Sequence, residues 1–317
     1  MIKYALPLFF SLALLTLPSL AQAPRVVTDI APVHSLVAQV MKGVGRPDLL
    51  AEQPASPHQT QLRPSQARKL EQADLLVWVG PELTPWLGRA LDGLSPANTL
   101  GLLDLPTTQN RPFDAAAEEE HADDEDPADD HDDREADTQD HGHGRIDPHA
   151  WLDPVNGAAW LVAIAEDLAR IDPEHAATYR ENAVAARFAL SEQTKELTAR
   201  LDAVELPALV TAHQAYGHFA ARFPIPLPGY VSLSDAAAPS AGHISELRDR
   251  LAPLGKFCLF TEPELDATRT AAMLNGLDIV VLELDLLGSR QTPGEALYGE
   301  TLAALGQAFL TCAEEVK

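Results

Sequence analysis

The chain has 317 residues, of which 47 are acidic and 23 are Lys or Arg, giving a formal net charge of −24. A chain of this length usually divides into two lobes of roughly 100 to 200 residues each. A protein that binds nucleic acid needs a stripe of Lys and Arg to neutralise phosphates, and this sequence has none. Composition therefore excludes nucleic acid as a partner.

The negative charge is concentrated in one segment, Asp114 to Gly144. It holds 15 acidic residues and one basic residue, which leaves a net charge of only −10 for the remainder of the chain. Such a composition buries too little apolar surface to fold, so we predict a disordered loop. A tract that contains histidines can also bind metal weakly. Two interpretations stay open, a solvated insertion that contributes only charge and an auxiliary metal-binding loop that uses His121, His131, His141 and His143.

Residues 1–23 have the pattern of a cleaved secretory signal peptide. Lys3 precedes an apolar run from Ala5 to Leu17, and small residues follow, so cleavage is expected after Ala21 or Ala23. No cysteine lies near this site, which excludes lipid attachment there. No later apolar run reaches the length of about 18 residues that a membrane span requires. We therefore expect an exported protein of the periplasm that is not inserted in the membrane.

Candidate strands and helices alternate along the chain, a pattern that predicts parallel sheets covered by helices on both faces. The predicted class is α/β with two lobes. The strand candidates are Arg25–Ile30, Asp48–Glu52, Asp74–Gly80, Ala208–His213, Phe257–Glu262 and Asp278–Asp285, and the helix candidates are Pro32–Met41, Pro64–Ala73, Glu82–Leu91, Pro154–Arg170, Ala215–Arg222, Ser240–Leu254, Thr268–Leu274 and Gly294–Ala313.

A long helical pattern lies between the two halves, from Asp172 as N-cap and Pro173 at the first position to about Asp202. A helix of about thirty residues spans about 45 Å, which suits a connection between lobes. We therefore expect a first lobe over residues 24–171, a linking helix over 172–203 and a second lobe over 204–317 that repeats the architecture of the first.

Four residues of types that bind metal ions, three His and one Asp, occur where ligands bind in open parallel sheets, beyond the carboxyl ends of strands. His58 follows the second strand candidate, His213 ends the fourth and Asp285 ends the last, while His149 lies in a turn-rich segment after the acidic stretch. Three imidazoles and one carboxylate form a typical set for a divalent metal ion. The other histidines of the folded regions are interpreted as helix-surface or capping residues: His34, His175, His218 and His243.

The two cysteines, Cys258 and Cys312, predict a disulfide between a strand and the C-terminal helix, because an exported protein matures in an oxidising compartment. The alternative is a pair of metal ligands. It is weaker because no Cys-x-x-Cys spacing is present.

Several motifs together carry a family resemblance. The chain resembles the zinc-binding members of the metal-specific solute-binding proteins of ABC transporters, in segments that keep the family order over nearly the whole mature chain: His58–Ser65, Ala73–Gly80, Asp147–Pro154, His213–Phe219 and Phe260–Pro263. The resemblance implies a periplasmic receptor with two lobes and one long helix between them. It also implies that the receptor holds the metal in the cleft and passes it to a membrane permease driven by a cytoplasmic ATPase. A receptor of this type is usually a monomer.

The resemblance also assigns roles to individual residues. His58, His149 and His213 match the three family histidines, Asp285 matches the carboxylate of the final lobe, and Cys258 with Cys312 matches a disulfide of zinc members. Pro57 stands where some zinc members have a glutamate ligand, so the fourth position falls to Asp285 or to water. Manganese members usually have Glu in place of His213, so the His favours Zn²⁺. Glu262 is a candidate hydrogen-bond partner of a ligating ring.

Two other functional classes remain to be weighed. Three histidines with an open fourth position are also found in zinc hydrolases, although no His-Glu-x-x-His motif or accompanying nucleophile is present. A secreted metal buffer would use the acidic, His-rich segment as its functional part, but would leave the two folded lobes without a role.

Overall fold

Two parallel four-stranded sheets, one in each half of the chain, organise the fold. The structure is a computed structural model that describes residues 22–50, 56–58, 62–94, 96–113, 146–234 and 238–317. The first sheet contains β1 (Val26–Thr28), β2 (Asp48–Leu49), β3 (Leu75–Trp78) and β4 (Thr99–Gly101), and the second contains β5 (Leu209–His213), β6 (Gly229–Ser232), β7 (Phe257–Thr261) and β8 (Ile279–Glu283). The order is β2-β1-β3-β4 in one and β6-β5-β7-β8 in the other. The second lobe therefore repeats the first, as predicted.

Helices connect successive strands and cover both sheets, which confirms the α/β class. In the described part of the chain they are α1 (Ala31–Val40), α2 (Pro64–Glu71), α3 (Pro85–Leu91), α4 (Pro154–Ile171), α5 (Ala176–Asp202), α6 (Gly217–Arg222), α7 (Ala241–Leu251), α8 (Ala267–Met273) and α9 (Leu297–Glu315). Short 3-10 segments cover Ala150–Leu152, Pro173–His175 and Ala252–Leu254. Among these helices, none combines the length and the apolarity that crossing a membrane requires.

Some predicted elements differ from the observed ones. Strands β4 and β6 were not predicted, since each contains a glycine, a residue that is depleted in strands. The helix expected from Glu82 begins at Pro85, because the residue before a proline favours an extended backbone and Thr84 is not helical. Gln22 and Ala23 are the only described residues of the predicted signal peptide, and Asp114–Gly144 lies outside the described residues.

The long helix α5 contacts both lobes. It has 27 residues and begins after the turn Pro173–His175, slightly later than predicted. Near its start, the Asn182 side-chain amide donates to the Val40 carbonyl at the end of α1, at 2.9 Å. Further along, the Gln193 amide donates to the Gly299 carbonyl in α9, at 2.6 Å. The helix thus connects the first lobe to the second, whereas the exact boundaries at 171/172 and 203/204 remain a prediction.

The two lobes share one hydrophobic core. Val26 of β1 and Phe260 of β7 belong to the same cluster of buried side chains, which also includes residues of α1, α4, α5 and α9. Neighbouring strand residues point to opposite faces, so Val27 and Leu259 belong instead to two separate outer clusters, one for each sheet. The two central strands of each sheet, β1 with β3 and β5 with β7, are therefore buried on both faces, and the inner face of each sheet packs into the core common to both lobes.

The predicted disulfide is present. Cys258 in β7 and Cys312 in α9 are bonded, and both are fully buried. The bond fixes α9 against the second sheet, and the metal-ligand alternative for this pair is therefore wrong.

Candidate metal centre

Three of the four predicted ligands come together at the carboxyl ends of the strands. His58 lies between β2 and α2, His149 lies between β4 and α4, and His213 is the last residue of β5. One ring nitrogen from each lies within 4.8 Å of the other two. His149 and His213 are each 2 % exposed, and His58 is half-buried. Two ligands thus come from the first lobe and one from the second.

Asp147 determines the orientation of His149. One oxygen of its carboxylate, Oδ1, accepts the backbone N–H of His149 at 3.0 Å and lies 2.7 Å from ring Nδ1. A carboxylate on Nδ1 favours the tautomer whose Nε2 carries a free lone pair, which is the form that binds metal. Burial raises the pKa of Asp147 to about 6, although nearby His218 lowers it. The Asp147–Pro148–His149 spacing was noted as a rigid turn, but this pairing was missed.

Glu262 has the same role for His213. Its Oε1 lies 2.7 Å from His213 Nδ1 and also accepts the Tyr216 hydroxyl at 3.2 Å. Burial and the Glu262 carboxylate raise the pKa of Tyr216 well above its usual value, so the phenol remains a proton donor. The Nε2 atoms of His213 and His149 lie 3.5 Å apart and face each other. The candidate partner suggested by the sequence is therefore in hydrogen-bonding range of the ring.

His58 is positioned by the loop around it. The Trp86 indole N–H donates to the carbonyl of Pro57 at 2.7 Å, and the His58 backbone N–H donates to the Ser56 hydroxyl at 3.2 Å. The ring centroid lies 5.5 Å from that of His149 in an edge-on arrangement. Pro57, which stands where some zinc members of the resembling family have a glutamate, is buried and offers no ligand side chain.

Asp285 is outside this cluster of three histidines. It follows β8, at the expected edge of the second sheet, but its carboxylate binds its own loop. Oδ1 accepts the backbone N–H of Ser289, and Oδ2 accepts the Ser289 hydroxyl and the Arg290 backbone N–H, all at 2.9 Å. Its assignment as fourth ligand therefore stays a prediction.

The remaining histidines of the described regions each have a ring nitrogen near an oxygen. The contacts are His34 with the Pro47 carbonyl at 3.2 Å, His175 with the Asp172 carboxylate at 2.8 Å, His218 with the Asp147 carbonyl at 3.1 Å and His243 with the Tyr230 carbonyl at 2.9 Å. His218 is fully buried, so the interpretation as a helix-surface or capping residue is wrong for it, because its ring is held inside the fold by the Asp147 carbonyl. The loop residues His121, His131, His141 and His143 lie outside the described residues.

Three converging imidazoles and an open fourth position are typical of a site for a borderline divalent ion such as Zn²⁺. Nitrogen donors favour such ions, whereas Mg²⁺ and Ca²⁺ require sets of oxygens. Carboxylates paired with ligating imidazoles generally hold the rings in place and compensate the charge of a bound ion.

A family model described as "ZnuA: Zinc-uptake complex component A periplasmic" matches residues 26–312. The chain belongs to this family. Its members are solute-binding receptors that work with an ABC transporter permease, which disfavours the hydrolase and buffer interpretations.

Individual relatives agree with the family match. The chain is 42 % identical over 320 residues to the high-affinity zinc uptake system protein ZnuA of Paracoccus denitrificans, covering 97 % of each chain. It is 33 % identical to the protein of the same name from Brucella abortus, covering 90 % of this chain and 91 % of the relative.

Solved structures have the same fold. A crystal structure of ZnuA matches with a TM-score of 0.72 at 19 % identity, over 92 % of this chain and 99 % of that one. The periplasmic zinc-binding protein TroA from Treponema pallidum matches with a TM-score of 0.72 at 19 % identity, over 90 % and 99 %.

Proposed function

We propose that this protein is a periplasmic receptor that captures Zn²⁺ between its two lobes and delivers it to an ABC-type membrane permease for high-affinity uptake. The observation that carries the proposal is the convergence of His58, His149 and His213, whose donor atoms lie within 4.8 Å of one another. Membership in a family of zinc-uptake components supports the identity of the ion.

The three imidazoles bind the ion as neutral ligands, and Asp285 or a water molecule completes the set. Asp147 and Glu262 hold the opposite ring nitrogens of His149 and His213. Because an imidazole must be deprotonated to bind, affinity falls as the pH drops through about 6.5. The ion is cargo, so the same site has to release it when the permease docks, through local movement near His213 or Asp285.

The sequence and the family support the proposed cellular setting. A signal peptide over residues 1–23 directs export, and without lipid attachment the mature protein is a monomer free in the periplasm. Its partners are the membrane permease and, through it, a cytoplasmic ATPase. The acidic loop Asp114–Gly144 collects additional zinc weakly near the cleft through His121, His131, His141 and His143.

Calorimetric titration of the metal-free protein with Zn²⁺ tests the proposal. The parent is expected to show one tight event, together with weak events that disappear when residues 114–144 are deleted. His149→Ala removes a ligand and should weaken the tight event by more than about 100-fold, since loss of an outer partner alone costs roughly 10- to 100-fold.

His243→Ala is the matched control, because that ring contacts the Tyr230 carbonyl and is remote from the cluster in sequence. It should bind zinc as tightly as the parent. Tight binding that survives in His149→Ala, or that is lost with the loop deletion, would show that the cleft is not the receptor site.

A further inference from the structure

Trp151 joins the two lobes beside the metal centre. It lies two residues after His149 and is fully buried. Its indole N–H donates to the Leu286 carbonyl at 3.0 Å, and its own carbonyl accepts the Tyr298 hydroxyl at 2.7 Å. Leu286 and Tyr298 both belong to the second lobe. One residue of the first lobe is therefore bound to the second by two buried hydrogen bonds.

Trp151 and Leu286 each lie within two residues of a predicted ligand. Trp151 extends the turn that carries His149, and the two rings lie 5.3 Å apart between centroids. Leu286 directly follows Asp285 in the loop after β8. A shift of the Trp151 indole therefore moves the His149 turn relative to the loop that contains Asp285.

The fold makes room for Tyr298 to reach Trp151. Gly157 in α4 lies against the phenol ring, and a Cβ added there would be 2.8 Å from Tyr298 Cζ and would collide with the hydroxyl oxygen. The backbone of Tyr298 is fixed as well, because its N–H donates to the Ser35 hydroxyl at 3.0 Å. Since that hydroxyl donates to the Glu295 carbonyl at 3.0 Å, α1 also holds the start of α9.

We propose that Trp151 and Tyr298 are positioning residues of the metal centre. The interlobe clasp, meaning Trp151, Tyr298 and the Leu286 carbonyl, holds His149 of the first lobe at bonding distance from the ion that His213 of the second lobe also contacts. This inference rests on the proposed function of the cleft. A three-histidine site divided between lobes changes size when the lobes shift, so the clasp sets both the lifetime of the bound ion and its coordination geometry.

The test must separate positioning from ordinary packing. Trp151→Phe and Tyr298→Phe remove a hydrogen-bond donor and keep an aromatic ring in the core. Trp160→Phe is the matched control for the first, because the equally buried Trp160 indole donates to the Thr108 hydroxyl at 2.8 Å. Tyr179→Phe is the control for the second, since its buried hydroxyl donates to Asp172 at 2.7 Å.

Two readouts are measured on the full chain, the rate of Zn²⁺ dissociation into a chelator and the visible absorption of the Co²⁺ form. Both clasp variants should release zinc about 10-fold faster, the lower end of the effect of outer-shell partners, and should shift the Co²⁺ bands. The double variant should lose less than the sum of the two, because the residues act as one unit. The control variants should match the parent in both readouts.

Equal dissociation rates and unchanged Co²⁺ spectra in clasp and control variants would overturn the inference. If Trp151→Phe does not fold, Tyr298→Phe and Gly157→Ala decide, since Gly157→Ala displaces the phenol without removing a polar group. A parent protein that binds no zinc contradicts the proposed function itself. A parent that binds tightly, with variants that behave like their controls, contradicts only the clasp.

Discussion

The two lobes have the same strand order but position their ligands by different means. In the first lobe, His58 and His149 lie in irregular segments, and side-chain hydrogen bonds such as that of Asp147 fix them. In the second, His213 is part of strand β5, so the sheet itself determines its position. A repeated topology thus brings ligands to the same edge, whereas local bonds set their final geometry.

The lobes are also stabilised differently. In the first sheet, the Asp29 carboxylate joins the ends of β1 and β3 by accepting the backbone N–H groups of Ile30 at 2.8 Å and Val79 at 2.9 Å. In the second, the Cys258–Cys312 disulfide joins β7 to α9. One lobe relies on a buried carboxyl group and the other on a covalent bond. Three predictions test the differences between the lobes.

Removing the disulfide should have the largest effect. Cys258→Ala with Cys312→Ala frees a loop with a sequence separation of 54 residues, for which chain entropy predicts a loss of about 4 kcal/mol in the free energy of unfolding. Denaturant unfolding of the metal-free protein measures this loss, with the reduced parent as a second reference.

The same experiment tests the shared core. All four tryptophans, Trp78, Trp86, Trp151 and Trp160, precede the long helix. Their fluorescence therefore reports mainly on the first lobe and, through Trp151, on its contact with the second, whereas circular dichroism reports on both lobes. Because one core joins the lobes, the two transitions should shift together. A fluorescence transition that stays unchanged while the dichroism moves would mean that the lobes unfold independently.

The carboxylates behind the ligands should have the next largest effect. Asp147→Asn and Glu262→Gln should each weaken zinc binding by roughly 10- to 100-fold in a competition titration. Asp147 should give the larger loss, because it also accepts the His149 backbone N–H and because His149, unlike His213, is not held by a strand. The exposed Glu246→Gln is the control. An equal loss at both carboxylates would contradict the claim that strand β5 shares the positioning of His213 with Glu262.

The smallest expected effect is a pH dependence from Asp29. Burial raises its pKa from 3.8 to about 7, so between these values the folded protein holds a proton that the unfolded chain has lost. Stability therefore falls as pH rises, by about 1.4 kcal/mol between pH 6 and 8 for this group. Asp29→Asn costs a hydrogen bond at every pH. It should also flatten the slope of unfolding free energy against pH, which is measured by denaturant titrations at several pH values. Identical slopes in parent and variant would exclude Asp29 as the source.

Sequence patterns predicted the positions of residues better than the directions of side chains. The rule that ligands bind beyond strand ends brought out His58 and His213, because the strands before them are visible in the sequence, whereas His149 was found by its turn-rich segment. The same rule selected Asp285, whose side chain turns to the backbone N–H groups of Ser289 and Arg290. These hydrogen bonds of Asp285 depend on a loop conformation, which no periodic pattern in the sequence predicts.

Pairings between distant segments were also beyond the sequence. The contact of Glu262 with His213 spans two strands of one sheet and was only suggested, and the bond from Trp151 to Leu286 was not anticipated. The first contact depends on the pairing of β5 with β7, and the second depends on how the lobes pack together. A single sequence without an alignment carries no record of that packing.

The hydrogen bond between the Tyr298 backbone N–H and the Ser35 hydroxyl has a consequence for the order of folding. These residues are 263 positions apart, so α1 remains partly uncovered until α9 has been synthesised and has docked. Contacts of such long range are slow to form, and an incomplete chain exposes apolar surface meanwhile. The first lobe should therefore reach its final packing only after the second has formed, and an emerging chain would depend on holdase chaperones to avoid aggregation.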